Sequence, residues 1–237
     1  QIKVPFMPQL SKETQSAQEI KDKPILVITG NPPYSGISKN NGMWISEQIN
    51  KYKFVDGVPF GEKKHWLNDD YVKFIRFAQD KMDKAEHGIV GIITNHSFLD
   101  NPTFRGMRQS LMNTFDQLYF IDLHGNAKKK ETTHEGEKDE NVFDIKQGVC
   151  ISILVKKKGL KKGIFHTDFY GLRSEKYENC LNNSLKTLNF KELIPNSPFY
   201  FFVPKDETNR KKYEKGLKID EIFNLNVSGI VTARDKL

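Results

Sequence analysis

Asn31-Pro32-Pro33-Tyr34 is where residue types and spacing in this chain most clearly could do chemistry. Asn31 offers a carbonyl acceptor and an amide donor. Pro32 and Pro33 fix φ and push the preceding residue to extended geometry, so a turn built from them costs little entropy to hold. Tyr34 offers a flat aromatic face. Together the four read as a clamp for a planar amine. They follow the apolar run Ile25-Leu26-Val27-Ile28 and the pair Thr29-Gly30. The carboxyl end of a buried strand is where open α/β folds do chemistry.

The elements that must position this clamp are legible in the pattern. Pro24 to Ile28 is a continuous apolar run of the kind buried parallel strands use. Residues 35 to 68, rich in Gly, Asn, Ser and Lys, read as a long functional loop with a short helix near 43 to 51, placed to act as a lid. Asn68-Asp69-Asp70 supplies an N-cap and early acids. Tyr71, Phe74, Ile75, Ala78 and Met82 then recur at helical spacing. Ile89 to Thr94 reads as a second buried strand, ending in the polar Asn95-His96-Ser97, which reads as a capped turn. Asn101 and Pro102 look like an N-cap and first helical residue, with Phe104, Met107, Leu111 and Phe115 as the helix stripe. Leu118 to Leu123 is a third strand. Strands alternating with helices from 24 to 123 predict a parallel sheet with right-handed crossovers.

Beyond that the pattern changes. Residues 124 to 141 are charged and read as a mobile loop. Val149 to Val155 and Gly163 to Tyr170 read as strands. The lysine-rich Lys156 to Lys162 between them predicts an antiparallel hairpin closing the sheet. Ser174 to Leu188 reads as a helix with Tyr177, Leu181 and Leu185 inward. Residues 195 to 237 look like the start of a further module. The expected organisation is an N-terminal segment at 1–23, a catalytic part at 24–172, and a helix with the beginning of a recognition or linker region at 173–237.

Bulk properties set limits. The chain has 237 residues, enough for one good core. Its net charge of +7 favours a polyanionic partner without proving one. No apolar run approaches the roughly 20 residues of a membrane span, so no membrane partner is expected. Cys150 and Cys180 lack metal-ligand spacing; no metal or disulfide is expected, and a reducing cytoplasm is the expected compartment. The first residues carry no signal pattern and no Met, so the chain is expected to be a segment of a larger protein.

Thr29-Gly30-Asn31-Pro32-Pro33-Tyr34-Ser35 resembles motif IV of the gamma-class N6-adenine DNA methyltransferases. Other pieces follow in that family's order. The helix with Tyr71 and Phe74 resembles the motif V region, Gly91 to Asn95 the motif VI strand, and Asn141 to Ile145 with Gly148 to Ile151 the motif VIII region. The block Phe143 to Ile151 is similar to the large fused restriction-modification proteins. The resemblance spans roughly residues 24 to 170, and motif IV is its specific part. It implies a partial Rossmann-like methyltransferase sheet, α/β and mostly parallel. It also implies double-stranded DNA and the rest of a parent polypeptide as partners.

The resemblance further implies residue roles. Asn31 and Pro32 would accept hydrogen bonds from the adenine amine, within the catalytic tetrapeptide completed by Pro33 and Tyr34. Tyr34 and Phe143 would stack on the two faces of a flipped base. Phe74 would edge the adenine of S-adenosylmethionine, and Asn31 would face its methyl group. The family's glycine-rich cofactor loop and acidic ribose residue precede motif IV, and neither is found in residues 1 to 23. Part of the cofactor site is therefore expected outside this chain. Two alternatives stay open. One is a protein-glutamine N5-methyltransferase, which also clamps a planar nitrogen with Asn-Pro-Pro-Tyr. The other is a catalytically incomplete DNA-binding fragment.

Overall fold

Alternating apolar runs and helical stripes assemble, in a computed structural model, into one six-stranded mixed sheet with helices on it. The structure describes residues 12–13, 15–16, 26–34, 38–62, 64–133, 135–223 and 225. The expected N-terminal segment 1–23, apart from four positions, and the stretch from 226 onward lie outside the described residues. Two compact units are present, one ending at Pro204 and one running from Lys205.

In the first unit the strands are β1 (Val27–Gly30), β4 (His87–Asn95), β5 (Gln117–His124), β6 (Val149–Lys157), β7 (Gly163–Asp168) and β8 (Lys191–Leu193). Their order across the sheet is β1-β4-β6-β5-β7-β8. A small separate hairpin pairs β2 (Phe54–Val55) with β3 (Val58–Pro59). In the main sheet, β1 runs parallel to β4 and β5 parallel to β7, while β6 and β8 run the other way. Four of six strands thus share one direction, as the α/β reading requires.

The hairpin expected from the lysine-rich loop does not form. β6 inserts between β4 and β5, and β7 pairs on the far side of β5. The reason is the gap that the crossover from β4 leaves beside β5. An apolar strand buried on both sides satisfies both ladders there, which a terminal hairpin would not. β1, expected to be buried, is exposed at Leu26 (45 %) and Val27 (62 %) because β4 is its one sheet neighbour among the described residues.

The helices are α1 (Met43–Asn50), α2 (Asp70–Asp83), α3 (Arg105–Thr114) and α4 (Arg173–Asn182). One face of the sheet carries the main core. Tyr71, Val72, Ile75, Ala78 and Met82 of α2 and Met107 and Leu111 of α3 pack there with Val90, Leu118, Phe120 and Leu154. The stretch expected as a lid belongs to this core. Ile45, Ile49, Tyr52 and Leu67 are buried in it, and the Tyr52 hydroxyl donates to Gln79 Oε1 at 2.7 Å. Gly106 admits this packing because any Cβ there would collide with the Tyr52 carbonyl. The opposite face carries a smaller core of Ile121, Leu123, Val142 and Val149, with Phe143 and Cys180 against it.

Two further expectations change. The helix expected to reach Leu188 ends at Asn182, and of its expected inward residues Tyr177 and Leu181 are 46 % and 83 % exposed, with Leu185, beyond the helix, 36 % exposed. The helix is held instead by Lys176, whose Nζ is fully buried against Asp139 Oδ1 at 2.7 Å and also donates to the Leu123 and Glu140 carbonyls. A polar anchor needs no apolar stripe. Phe202, read with the downstream module, stacks on Phe120 at 4.7 Å in the main core. Buried Arg108 on α3 donates to the carbonyls of Phe98, Asn101 and Phe199, tying that segment to the sheet. In the second unit, short helices α5 (Arg210–Tyr213) and α6 (Ile219–Ile222) are present. Among the described residues no helix is long and apolar enough to cross a membrane.

Candidate functional site

The carboxyl ends of β1 and β4 lie side by side because their ladder is parallel, with Gly30 opposite Ile92. The tetrapeptide leaves the sheet at that end. Asn31 and Pro33 are exposed, Pro32 is buried and Tyr34 is half-buried. Among the described residues no hydrogen bond to the exposed Asn31 side chain is found. The Tyr34 hydroxyl is buried without a partner among the described residues. Burial pushes its phenol up to about 12, with the Cys150 sulfur adding to the shift, so the group stays neutral.

Phe143 reaches Tyr34 across more than a hundred residues of sequence. Their rings lie 6.3 Å apart, tilted by 54°. That separation lies within the roughly 4.5–7 Å range of aromatic rings in ordinary contact.

The loop 124–141 that leads into Phe143, which the sequence reads as mobile, is anchored. Asn141 Nδ2 donates to the carbonyls of Gly125 and Gln147 at 2.9 and 2.6 Å, and its Oδ1 accepts from the Phe143 amide at 2.8 Å. Asp139 accepts from the amides of Gly125 and Gly171 beside its pairing with Lys176. Gly125 has φ of +76°, and a Cβ there would strike the Asn141 backbone. That glycine is needed at the turn.

Phe74 lies elsewhere, on the exposed side of α2. It is 47 % exposed while its helix neighbour Tyr71 is buried in the core. With Trp44, Ile45 and Phe77 it lines a cleft of about 310 Å³, closed at one side by Lys73 and Asn40. Trp44 meets Phe77 edge-on at 6.1 Å. This aromatic shelf suits the flat adenine end of a nucleoside cofactor. Burial lowers the pKa of Lys73, whose Nζ donates to Ser38 Oγ and Asn41 Oδ1 and so ties down the loop beside the shelf.

Sequence reasoning missed a third group. At the ends of β4, β5 and β7, on the main-core face, sit His96, Asp122, His124, His166 and Asp168, lining a cavity of about 280 Å³. His96, read as part of a capped turn, does follow such a turn: Asn95 Oδ1 accepts from the Ser97 amide at 2.9 Å. Its ring, however, bridges Asp122 Oδ1 through Nδ1 at 3.0 Å and Asn126 Nδ2 through Nε2 at 3.1 Å. Burial alone would raise the Asp122 pKa; the hydrogen bond from His96 and the charges of His96 and His124 hold it below the ordinary range. For His124, burial opposes the charge, but contacts to Asp168, Glu131 and Asp122 lift it to about 9. Burial lowers the His166 pKa. One signal was present in the sequence: Asp122 and His166 each interrupt an otherwise apolar strand, and a buried charge requires partners.

The lysine-rich loop 156–162 lies at the other end of the sheet. Lys157 pairs with His87 at the start of β4, eight residues from Asn95, about 26 Å along a strand. These lysines do not line the tetrapeptide's end.

Comparisons with known proteins place this geometry. The family model described as Eco57I restriction-modification methylase matches residues 9–129. No curated protein sequence matches. Among solved structures, the DrdV–DNA complex aligns at 29 % identity and TM-score 0.68, over 84 % of this chain and 20 % of that one. The ATP-dependent Type ISP restriction-modification enzyme LlaBIII bound to DNA aligns at 28 % identity and TM-score 0.65, over 80 % of this chain and 13 % of that one. A nuclease-deletion mutant of the Type ISP enzyme LlaGI, at 23 % identity and TM-score 0.70, shares the fold. The chain spans a fifth or less of the length of these structures.

Proposed function

Because the chain belongs to the Eco57I restriction-modification methylase family, we propose that it supplies the target-base half of a DNA adenine-N6 methyltransferase of the gamma class. The observation that carries the reading is the meeting of Tyr34 and Phe143, two distant aromatics at 6.3 Å beside an exposed Asn31. DNA as the substrate is supported by the titles of the DrdV and LlaBIII structures, which are DNA complexes.

The adenine amine is a poor nucleophile because its lone pair is delocalised into the ring. Asn31 Oδ1 and the Pro32 carbonyl accept its two N–H bonds, draw the nitrogen toward tetrahedral geometry and localise that lone pair. No strong base is needed; positioning does the work. The base must leave the duplex to reach this turn, and Tyr34 and Phe143 hold it by stacking worth about 1–3 kcal/mol. The unpartnered Tyr34 hydroxyl gains a polar neighbour when the pocket fills. S-adenosylmethionine, when bound, supplies the electrophilic methyl group. Phe74 on its exposed shelf fits the adenine of that cofactor, and Asn31 borders the methyl. The remainder of the cofactor site is supplied by a segment outside this chain. The edge of β1 that has no strand partner among the described residues, with Leu26 and Val27 exposed, is the surface such a segment would extend. Calorimetry on this chain alone is then expected to show weak or no cofactor binding.

The test is transfer of tritiated methyl by the parent polypeptide to duplex DNA, followed by digestion to nucleosides. Label is expected in N6-methyl-2′-deoxyadenosine and is lost in Asn31→Ala. Label in a methylated cytosine, or only in protein glutamine, overturns the assignment.

A further inference from the structure

We propose that Asp122, His166 and Asp168 form a site for one divalent transition-metal ion, of the zinc class, that staples β5 to β7. The strand register makes the site. β5 and β7 run parallel with Phe120 opposite His166 and Asp122 opposite Asp168. Side chains two residues apart share a face, so the three donors converge on one side of two adjacent strands. Their ligand atoms all lie within 4.8 Å of one another.

His166 is the observation that points to a ligand. It is 2 % exposed, and neither ring nitrogen has a hydrogen-bond partner among the described residues. A buried imidazole with both nitrogens idle is costly unless something binds it. Its Nδ1 lies 3.5 Å from Asp168 Oδ2, too long for a hydrogen bond. That spacing matches the edge of a tetrahedron with metal bonds of about 2.1 Å, which is roughly 3.4 Å. A pair at the 4.8 Å limit must close by about 1.4 Å to reach that tetrahedral edge.

The surroundings act as an outer shell. His96 donates to Asp122, the His124 amide donates to Asp122 Oδ1 at 2.9 Å, and the His124 ring pairs with Asp168 Oδ1 at 2.8 Å. Ligating carboxylates are oriented by hydrogen bonds of this sort. Asp122 keeps a lone pair on Oδ2, and Asp168 keeps Oδ2 facing His166. The cavity is lined by Asp100, Asp122, Glu131 and Asp168 against Lys129 and His124, an acidic pocket in a basic chain. One imidazole with two carboxylates suits a borderline-soft ion better than calcium or magnesium. A second group, His96, His124 and Glu131, is also close enough to chelate, but His96 Nε2 is already engaged by Asn126.

The experiment uses the purified protein, stripped with chelator and titrated with zinc chloride, with bound metal counted by mass spectrometry. About one ion per chain is expected. The isosteric Asp168→Asn, checked by circular dichroism, is expected to weaken zinc binding by at least about 100-fold, the upper range for disturbing even outer-shell partners. Glu131→Gln, which alters the neighbouring group and removes no ligand, is expected to weaken it far less than Asp168→Asn does. Cobalt substitution gives a readout that needs no variant: visible bands of a four- or five-coordinate ion are expected. Less than a tenth of an ion per chain, a hexaaqua-like cobalt spectrum, or loss in Glu131→Gln with retention in Asp168→Asn would each overturn the site.

Discussion

The end of β1 and the end of β5 belong to one sheet and are built in opposite ways. At β1 the proposed amine clamp sits in four consecutive residues, with Asn31 and Pro33 exposed. At β5 it sits in residues drawn from positions 96 to 168, buried and bonded to one another. A group that must meet a substrate is left free and is fixed by its backbone, here by two prolines. The frame around Asp122 is instead bonded to its neighbours, as His96, Asp122 and His124 are, with His166 buried beside them and both its ring nitrogens unpartnered. The first fails by losing function, the second by losing structure.

The largest effect should fall on the frame. Asp122→Ala strands the His96 ring N–H and the His124 amide in a site where Asp122 is 4 % exposed. Breaking one partner of a buried charged network costs about 3–5 kcal/mol. Urea unfolding should show that loss, and methyl transfer should fall with it. Wild-type stability in Asp122→Ala would erase the distinction between the two ends.

Asn31→Ala sharpens the same contrast from the other side. Removing one preorganised hydrogen-bonding group at a reacting atom costs about 10²–10³-fold in rate. The unfolding midpoint should not move, because Asn31 buries nothing. A variant that loses activity and stability together would mean that Asn31 is part of the frame.

Phe143→Ala tests where the two ends meet. The ring contacts Tyr34 on the clamp side, while its backbone is held by Asn141 on the frame side. Loss of one stacking face should weaken binding of a flipped base by about 1–3 kcal/mol, read with duplexes carrying 2-aminopurine at the target position. Asn141→Ala should give the same loss of fluorescence change with the aromatic ring still present. An effect of Phe143→Ala on stability alone would make it a core residue only.

The contrast also explains what the sequence could disclose. Asn31 to Tyr34 is readable because its four residues are contiguous and each has a local job. The helices over 70–83 and 105–114 are readable because their stripes need only local spacing. The His-Asp group is not, because it depends on which strands are neighbours. Reading β6 and β7 as a hairpin would separate β5 from β7 and never bring Asp122 beside Asp168; only the insertion of β6 between β4 and β5 does so. The α4 stripe misled for a related reason. Tyr177, Leu181 and Leu185 have helical spacing, but Lys176 has the partners.

The smallest effect concerns Asp69, at the start of the helix that presents Phe74. It occupies the N-cap position of α2 without a side-chain capping bond, and its Oδ1 is buried and unpartnered. Burial, with the neighbouring Asp70 charge adding to it, raises its pKa to about 6. In the unfolded chain it titrates near 3.9. The folded form therefore takes up the proton first as pH falls, and stability should rise from pH 7 through 6 and level off near 4. Asp69→Asn removes the charge and keeps a good capping residue, so its advantage over wild type should be present at pH 7 and vanish near pH 4. Unfolding in urea at several pH values checks this as a difference between the two proteins, which cancels every other titrating group. A difference independent of pH would show that Asp69 is solvated and that the base of the Phe74 helix is as open as the end of β1.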